Sequence, residues 1–493
     1  MISKRRRAFH VSFWSQVDLI RFCFLAFNIL IQISDGYEVI GATDDDEKLA
    51  VVDADYQEKY GDIFKYRFGP HSVVAFNRLD HVQYIFAHRH IYDHAKLASE
   101  TFSLLTPNGL IALTGAKFKR HARVMLPMFK KSKVVPYLET VNDCTDELLL
   151  QKWRADGNEK LQTDIIRQCQ DLLLCIITSI AFDYDLKTAE SSSPVRLAIK
   201  EFVDNFVKIL LLSGTPTIFS RLYLKFNWKY QKALVVLRKE ADDIIRKERA
   251  RQEKEQEIEN AINTKRRNLI SLLVSSLNED VGGDYKQGLT CEELLDEILL
   301  SIVAGFETTS TVLAWFIFHM SKYPAIQEKI KEELKLHNVT KKTSLTNELL
   351  DKLEYIDCVL KEVLRFSPIM DGTLRTLVED DQIDGVQLRK GDSVYIGLNN
   401  IHRDKRLWKL DPDQFLPERF LDTDDKNQPI WTFGGGHRAC AGQDLARFEL
   451  KVICTRLMQS LTFLDSGDEQ NSGGFLQRIT CLPKRLAVYC KFD

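Results

Sequence analysis

Phe433-Gly-Gly-Gly-His-Arg-Ala-Cys440-Ala-Gly442 leads at once into a helical pattern, Gln443 to Leu457. One cysteine stands in a loop crowded with glycine, two residues after Arg438. Glycines let a backbone turn tightly and let a flat ligand come close. A thiolate is a strong ligand for soft or borderline metals, and positive charge and helix N-terminal amides stabilise it. The stretch is therefore suited to hold a metal through one sulfur, pressed against something planar. A lone cysteine is more often an inert buried residue, so the rest of the chain must decide.

The chain has 493 residues and a formal net charge of -2. Its length allows about three average domains. Its near-neutral balance, with a pI near 6.6, excludes the strongly basic face of a nucleic-acid-binding protein. The apolar fraction of 44% supports a large core. Ten cysteines occur with no C-x-x-C pair. They read as reduced thiols in a chain facing the cytosol, not as a disulfide framework. There is no internal repeat.

At the N-terminus, Lys4 and Arg5 to Arg7 precede an apolar run, Phe22 to Ile33. Spanning a bilayer takes roughly 20 residues. Extending the run back to Val11 gives that length but takes in Asp18 and Arg21. A weak membrane anchor, a basic organelle-targeting segment, a mis-assembled start and a disordered leader compete, and the anchor is favoured. Residues 34 to 50 are acidic and read as a linker.

Tyr60 to Phe76 predicts a hairpin turning at Gly69-Pro70-His71, and Leu79 to Ile85 a short helix. Residues 98 to 116 read as a loop. Phe118 to Phe129 is a basic amphipathic turn stopped by Pro127. It is either a solvated face or a site for a carboxylate-bearing ligand or an acidic partner. Residues 137 to 211 are helical. Leu210 to Leu224 reads as an apolar loop broken by Gly214 and Pro216, suited to dip into a membrane, cover an apolar pocket or join the core. Residues 236 to 268 form an exposed charged helix and loop.

Thr290-Cys-Glu-Glu293 fits a capping box. Apolar residues then recur from Leu295 to Met320 until Pro324 stops them. The predicted helix of roughly 32 residues, about 48 Å long, should run through the middle of the molecule. Its centre, Ala304-Gly-Phe-Glu-Thr-Thr-Ser-Thr311, breaks local rules. Gly305 costs about 1 kcal/mol against alanine. Mid-helix threonines compete for backbone carbonyls. A buried carboxylate is costly unless paired. Either this is a packing kink, or it is a widened helix facing a cofactor, with Glu307 and Thr308 handling protons.

In the second half, Glu362 and Arg365 lie one turn apart on an amphipathic helix, Leu353 to Phe366. Arg419, in Pro417-Glu-Arg-Phe420, can join them in a buried network. Residues 377 to 398 alternate as strands. Residues 473 to 479 read as a loop before a last strand, Leu486 to Cys490.

Together these stretches resemble the cytochrome P-450 family. Phe433-x-x-Gly436-x-Arg438-x-Cys440-x-Gly442 resembles its haem-binding signature. Ala304-Gly-x-Glu-Thr-Thr309 resembles its oxygen-activation motif, and Glu362-x-x-Arg365 with Pro417-Glu-Arg-Phe420 its ion-pair motif. Order and separation match over roughly residues 50 to 493. The resemblance implies one mainly α domain with small β-sheets and a long central helix, residues 50–493, after a leader and linker at 1–49. It implies haem b with Cys440 as axial metal ligand. Phe433, Gly436, Gly442, Arg438 and Arg375 then serve cofactor binding, the two arginines holding propionates. Glu307 and Thr308 take the catalytic acid–alcohol positions.

The implied reaction inserts one oxygen atom from O2 into a lipophilic substrate, with electrons from a separate NADPH-dependent reductase. Lys119, Arg120, Arg123, Lys130 and Lys131 offer it a docking face. Pocket walls fall at residues 98 to 116, 203 to 216, 300 to 309, 369 to 376 and 473 to 478. Asp371 is a candidate polar anchor among apolar residues such as Phe102, Ile369 and Phe475. The implied location is the cytosolic face of the endoplasmic reticulum membrane, with mitochondrion and cytoplasm as alternatives.

Two features depart from the family's pattern. Phe118 and Ala122 stand where eukaryotic members have Trp and Arg, so that either one propionate contact is lost or Arg120 or Arg123 replaces it, and no proline-rich hinge follows the apolar run. Three other functions compete. A haem-thiolate isomerase or dehydratase would dispense with the proton relay. A haem sensor or carrier would not turn over. A dinucleotide loop formally fits Gly434-x-Gly436-x-x-Ala439 but lacks a preceding buried strand and a following βαβαβ unit.

Overall fold

The structure, a computed structural model, describes residues 30–33, 36–39, 52–68, 71–182, 194–212, 216–258, 274, 288–367, 369–421, 424–477 and 479–493. Five strands build its largest sheet: β1 (Ile63–Phe68), β2 (His71–Phe76), β3 (Tyr92–His94), β4 (Thr373–Leu377) and β5 (Ser393–Ile396), in the order β1-β2-β5-β4-β3. The predicted hairpin is β1 and β2, with Phe68 opposite His71. Its turn residues, 69 and 70, lie outside the described residues. β2 and β5 run parallel, and the other pairs are antiparallel. This register sets His94 opposite Arg375 across almost 300 residues of chain.

Five helices frame the site: α1 (Gly115–Met125), α2 (Ile165–Phe182), α3 (Cys291–Lys322), α4 (Glu354–Phe366) and α5 (Gln443–Ser460). α3 spans 32 residues, as its cap and period predict. The capping box is complete: Glu293 N–H donates to Thr290 Oγ1 at 3.2 Å, and Thr290 N–H to Glu293 Oε2 at 2.8 Å. Leu313, Phe316, Ile317 and Met320 are fully buried, so α3 is the core of the molecule. Among the described residues it is the one helix long and apolar enough to cross a membrane, and 78% of its apolar window is buried inside the protein.

The expected widening of α3 is absent, since the helix is unbroken from end to end. Gly305 serves close packing instead. A Cβ there would lie 3.2 Å from Ile177 Cδ1 on α2. The threonines cap carbonyls within the helix without interrupting it: Thr308 Oγ1 donates to Ala304 O at 2.7 Å, and Thr311 Oγ1 to Glu307 O at 2.9 Å.

Other expectations need correction. Residues 98 to 116 are not all loop, because a helix, Lys96–Phe102, occupies their start. Leu210 to Leu224 is not a loop but two helix ends, Pro194–Leu211 and Thr217–Phe226, with Pro216 capping the second. Residues 473 to 479 contain a strand, Gly473–Gln477, paired with Cys481–Arg485, and the last strand is Val488–Phe492. The apolar run expected as an anchor ends in a strand, Leu30–Ile33, paired with Gly36–Val39 within the expected linker. The rest of that run lies outside the described residues, as do residues 259–268 of the charged stretch.

The network of α4 is buried as predicted. Arg365 donates from Nε and Nη2 to the two oxygens of Glu362, both at 2.8 Å, and Arg419 Nε reaches the same carboxylate at 3.1 Å. None of the three side chains is exposed. Arg365 Nη1 also donates to His402 O at 2.7 Å, and His402 Nε2 accepts from Trp431 N–H at 2.9 Å. Burial, helped by the charge on Arg365, lowers the His402 pKa to about 3, so the ring is neutral and free to accept. Thr432 Oγ1 donates to Leu364 O at 2.6 Å. The network thereby holds the entrance of the cysteine loop.

Candidate active site

A cavity of about 380 Å³ separates the cysteine loop from α3. Phe433, Cys440, Ala441 and Gly442 line one wall, and Ala304, Gly305, Thr308 and Thr309 the opposite one. Leu110, Phe118, Ile177, Leu300, Ile369 and Met370 give it an apolar surround. Of the residues expected at the pocket, Ile369 and its neighbour Met370 line this cavity, whereas Phe102, Phe475 and the polar Asp371 do not.

The loop is held by its backbone. Cys440 N–H donates to Phe433 O at 2.8 Å, closing the turn. Gly436 takes φ +68°, and a Cβ there would lie 2.5 Å from Phe86 O. Both facts exclude other residues. A Cβ on Gly442 would instead meet nothing within 4 Å. The glycines thus seat the loop against the helix Leu79–Ala87 on one side and leave room in the cavity on the other. Cys440 is accessible only toward this cavity and is otherwise deep in the fold. Burial raises its thiol pKa, and a hydrogen bond from the Gly442 amide pulls the other way.

One edge of the cavity is cationic. Arg375 on β4 and Arg438 in the loop both line it and are almost fully buried. Arg438 is paired with Asp93, whose Oδ1 lies 2.6 Å from Nη2. Its guanidinium lies 3.4 Å from the centre of the Phe118 ring. Burial pushes the Asp93 carboxyl up, but hydrogen bonds from His437, the His94 amide and Arg438 outweigh it and hold the group well below the carboxylate range. Arg375 Nη1 donates to Thr373 Oγ1 at 2.8 Å and Leu374 O at 2.9 Å, and the guanidinium faces the Phe86 ring. Among the described residues no carboxylate forms an ion pair with Arg375. Burial, and then the charge on Arg438, lower its pKa to about 10. A buried cation without a counter-ion marks a place for an anion.

The two expected catalytic residues separate. Thr308 lines the cavity, while Glu307 does not. The Glu307 side chain turns to α2, where Oε2 accepts from Gln170 Nε2 at 3.0 Å. Arg120, expected to compensate for Ala122, points elsewhere: it pairs with Glu293 and donates to Gly288 O at 3.0 Å. Arg123 is exposed.

Sequence reasoning missed four residues here: Asp93, His94, Glu297 and Gln170. Glu297 lines the cavity and meets His121 Nδ1 at 2.6 Å. Burial raises its pKa against the pull of that histidine. All four reach the site through pairings across more than a hundred residues, which no local pattern announces.

A soft sulfur ligand, a facing wall without bulky side chains, room at Gly442 and an unpaired cation at the edge fit haem, a planar group with carboxylates along one edge. The fold and site define a haem-thiolate protein. The family model described as "Cytochrome P450" matches residues 39–488. Similar proteins include cytochrome P450 monooxygenase 205 of Postia placenta, 26% identical, covering 82% of this chain and 80% of that one. Cytochrome P450 26B1 of Xenopus tropicalis is 27% identical, covering 83% and 76%. Among solved structures, retinoic acid-bound cyanobacterial CYP120A1 aligns with a TM-score of 0.72 at 26% identity, covering 89% of this chain and 94% of that one.

The chain belongs to the cytochrome P450 family. It is a haem-thiolate monooxygenase that transfers one oxygen atom from O2 to a lipophilic substrate, with electrons from a separate reductase.

Proposed function

We propose that Cys440 is the thiolate ligand, that Arg375 and Arg438 bind the haem carboxylates, and that Thr308 handles protons at the cavity wall. Residues 50–493 form the catalytic domain, and 1–49 its leader. The observation that carries this reading is that Cys440 and Thr308 face one apolar cavity across from each other, with Arg375 lacking a counter-ion at its edge. Thiolate-bound haem supplies reductive O2 chemistry, in which one oxygen enters the substrate and the other leaves as water.

The chain's own residues do the rest. The Gly442 amide donates to the sulfur and stabilises it as thiolate. Phe433 pairs with the Cys440 backbone and lines the cavity beside it. Gly436 fixes the loop on Phe86. The apolar lining holds a lipophilic substrate and excludes bulk water. The Thr308 hydroxyl, now donating to Ala304 O, is placed both to hold a proton and to meet the cavity. Glu307 is a proton source behind the wall, released when its bond to Gln170 opens. An isomerase or dehydratase needs no such hydroxyl.

Lys119, Arg123, Lys130 and Lys131 are exposed and make the docking face for an NADPH-dependent reductase, whereas Arg120 is taken up by Glu293. The protein sits on the cytosolic face of the endoplasmic reticulum membrane. Supporting this, Ile218, Leu222 and Phe226 fall on one face of the helix Thr217–Phe226 and are exposed, Phe226 by 75%, next to Trp228 at 67%. Flotation with phospholipid vesicles, lost on Phe226→Glu with Trp228→Glu, supports the membrane. Unchanged flotation removes this contact, and no flotation at all leaves mitochondrion or cytoplasm.

The reduced, carbon-monoxide-bound protein should show the red-shifted Soret band of thiolate-ligated haem. Cys440→Ala should lose the band while keeping haem, and a wild type without it refutes the reading. Retinoic acid, bound by the cyanobacterial neighbour, is the first ligand to try for a substrate-induced shift of the ferric spectrum.

A further inference from the structure

His94 closes strand β3 directly opposite Arg375 and lines the cationic edge of the cavity. It is deeply buried, and neither ring nitrogen has a hydrogen-bond partner. An unsatisfied buried imidazole costs free energy until some group meets it. The charges around it are Arg438, Arg375, Asp93 and His437. The two guanidiniums carry only donors. The Asp93 carboxylate is taken by Arg438, His437 and the His94 amide. Phe118, on the same edge, turns its ring to Arg438 and offers no polar atom. The N–H of the neutral ring therefore lacks an acceptor, and His94 meets open space in the cavity that it lines.

We propose that His94 donates a hydrogen bond to a haem carboxylate, as the third member of a clamp with Arg375 and Arg438. This rests on the reading of the cavity as the haem pocket. The chemistry is economical in charge. Arg438 is already balanced by Asp93, so the edge carries one uncompensated cation, Arg375, for a group with two carboxylates. A neutral donor completes the set without crowding a third cation between two arginines. Burial and those arginines keep the imidazole neutral, with its pKa lowered to about 3. His94 is a positioning residue for the cofactor and takes no part in the oxygen chemistry.

The test uses the full-length protein carrying haem and an excess of apomyoglobin as scavenger. His94→Ala should release haem about ten- to hundredfold faster, the effect of one charge-assisted hydrogen bond. It should also shift the propionate-bending bands of the resonance Raman spectrum. His94→Gln, which keeps an N–H donor, should recover most of the wild-type rate. Protein loaded with haem dimethyl ester, which lacks carboxylates, should release it at equal rates with and without His94.

Release at the wild-type rate with unchanged bending bands, in a variant that still shows the thiolate band, overturns the proposal and leaves the pocket reading standing. A wild type that takes up no haem overturns both. If His94→Ala does not fold, His94→Phe keeps the ring volume without the donor and carries the same two expectations.

Discussion

Glu362 is one carboxylate bonded to two guanidiniums where no side chain is exposed, and Asp425 lies 3.8 Å from the second of them, Arg419. Arg365 meets both of its oxygens at 2.8 Å, Arg419 Nε meets them at 3.1 Å, and Leu416 N–H donates to one at 2.8 Å. Glu362→Gln keeps the shape but removes the charge and one acceptor. Arg365 would then rely on backbone carbonyls at His402, Pro412 and Gln414, and Arg419 on those at Leu410, Asp411 and Gln414 and on the Asp425 carboxylate. Removing one partner of a buried ion pair costs about 3–5 kcal/mol. The carbonyl contacts place this case at the lower end, about 3 kcal/mol, or roughly a hundredfold in the unfolding equilibrium.

Glu332→Gln, on an exposed helix face, should stay within about 0.5 kcal/mol of wild type. Urea unfolding followed by far-ultraviolet circular dichroism reads both. The thiolate Soret band, followed on the same samples, should disappear before the helical signal in Glu362→Gln. The network holds His402 and Leu364, which in turn hold Trp431 and Thr432 at the loop entrance. If Glu362→Gln unfolds like Glu332→Gln, the buried charge does not support the loop and the reasoning fails.

Gly436→Ala should lower haem content per protein several-fold, because the residue needs φ +68° and its Cβ would overlap Phe86 O. The conformation alone costs about 1–2 kcal/mol. Gly442→Ala, with φ −92° and open space around it, should leave the apoprotein's stability unchanged while still reducing haem uptake. Thr308→Ala should consume reductant while product per reductant falls several-fold; full coupling would remove its role at the cavity wall. Glu449, buried in α5, has its pKa raised by burial from 4.5 to about 8. Because the folded state holds this proton more tightly, its contribution is full below pH 4.5, declines as pH rises toward 8 and is lost above. Glu449→Gln should therefore match wild type at pH 4 and exceed it in urea midpoint at pH 9, and equal pH profiles would contradict this.

What was legible in the sequence was local. The α3 cap, its apolar period and the stop at Pro324 each depend on residues within a few turns, and all three hold. The Glu362–Arg365 pair is one turn apart, and the glycines of the cysteine loop announce its turns. The errors arose where tertiary contacts override local pattern. Residues 98–102 carry weak periodicity yet form helix under the core. Residues 473–477 look like a glycine loop yet pair as a strand with Cys481–Arg485. Arg120 looks like free positive charge in the sequence, but Glu293, already engaged in the capping box with Thr290, also binds it. Asp93 and His94 gain meaning only through the register of β3 with β4.

The division between Glu307 and Thr308 follows from helix geometry alone. Successive residues of an α-helix are about 100° apart, at 3.6 residues per turn. Ala304, Gly305, Thr308 and Thr309 share the arc of the helix that lines the cavity, and Glu307 falls outside that arc. Ala304 and Thr308, one turn apart, take the cavity side. Glu307 and Thr311, likewise one turn apart, take the buried side, where Gln170 and Thr480 meet them. Since α3 is unbroken here, no local widening can bring the carboxylate round. A proton passing from Glu307 to Thr308 must travel by side-chain rotation or by water. The short motif thus separates Glu307 from the cavity by its place on the helix, and Gln170 meets the carboxylate on the far side.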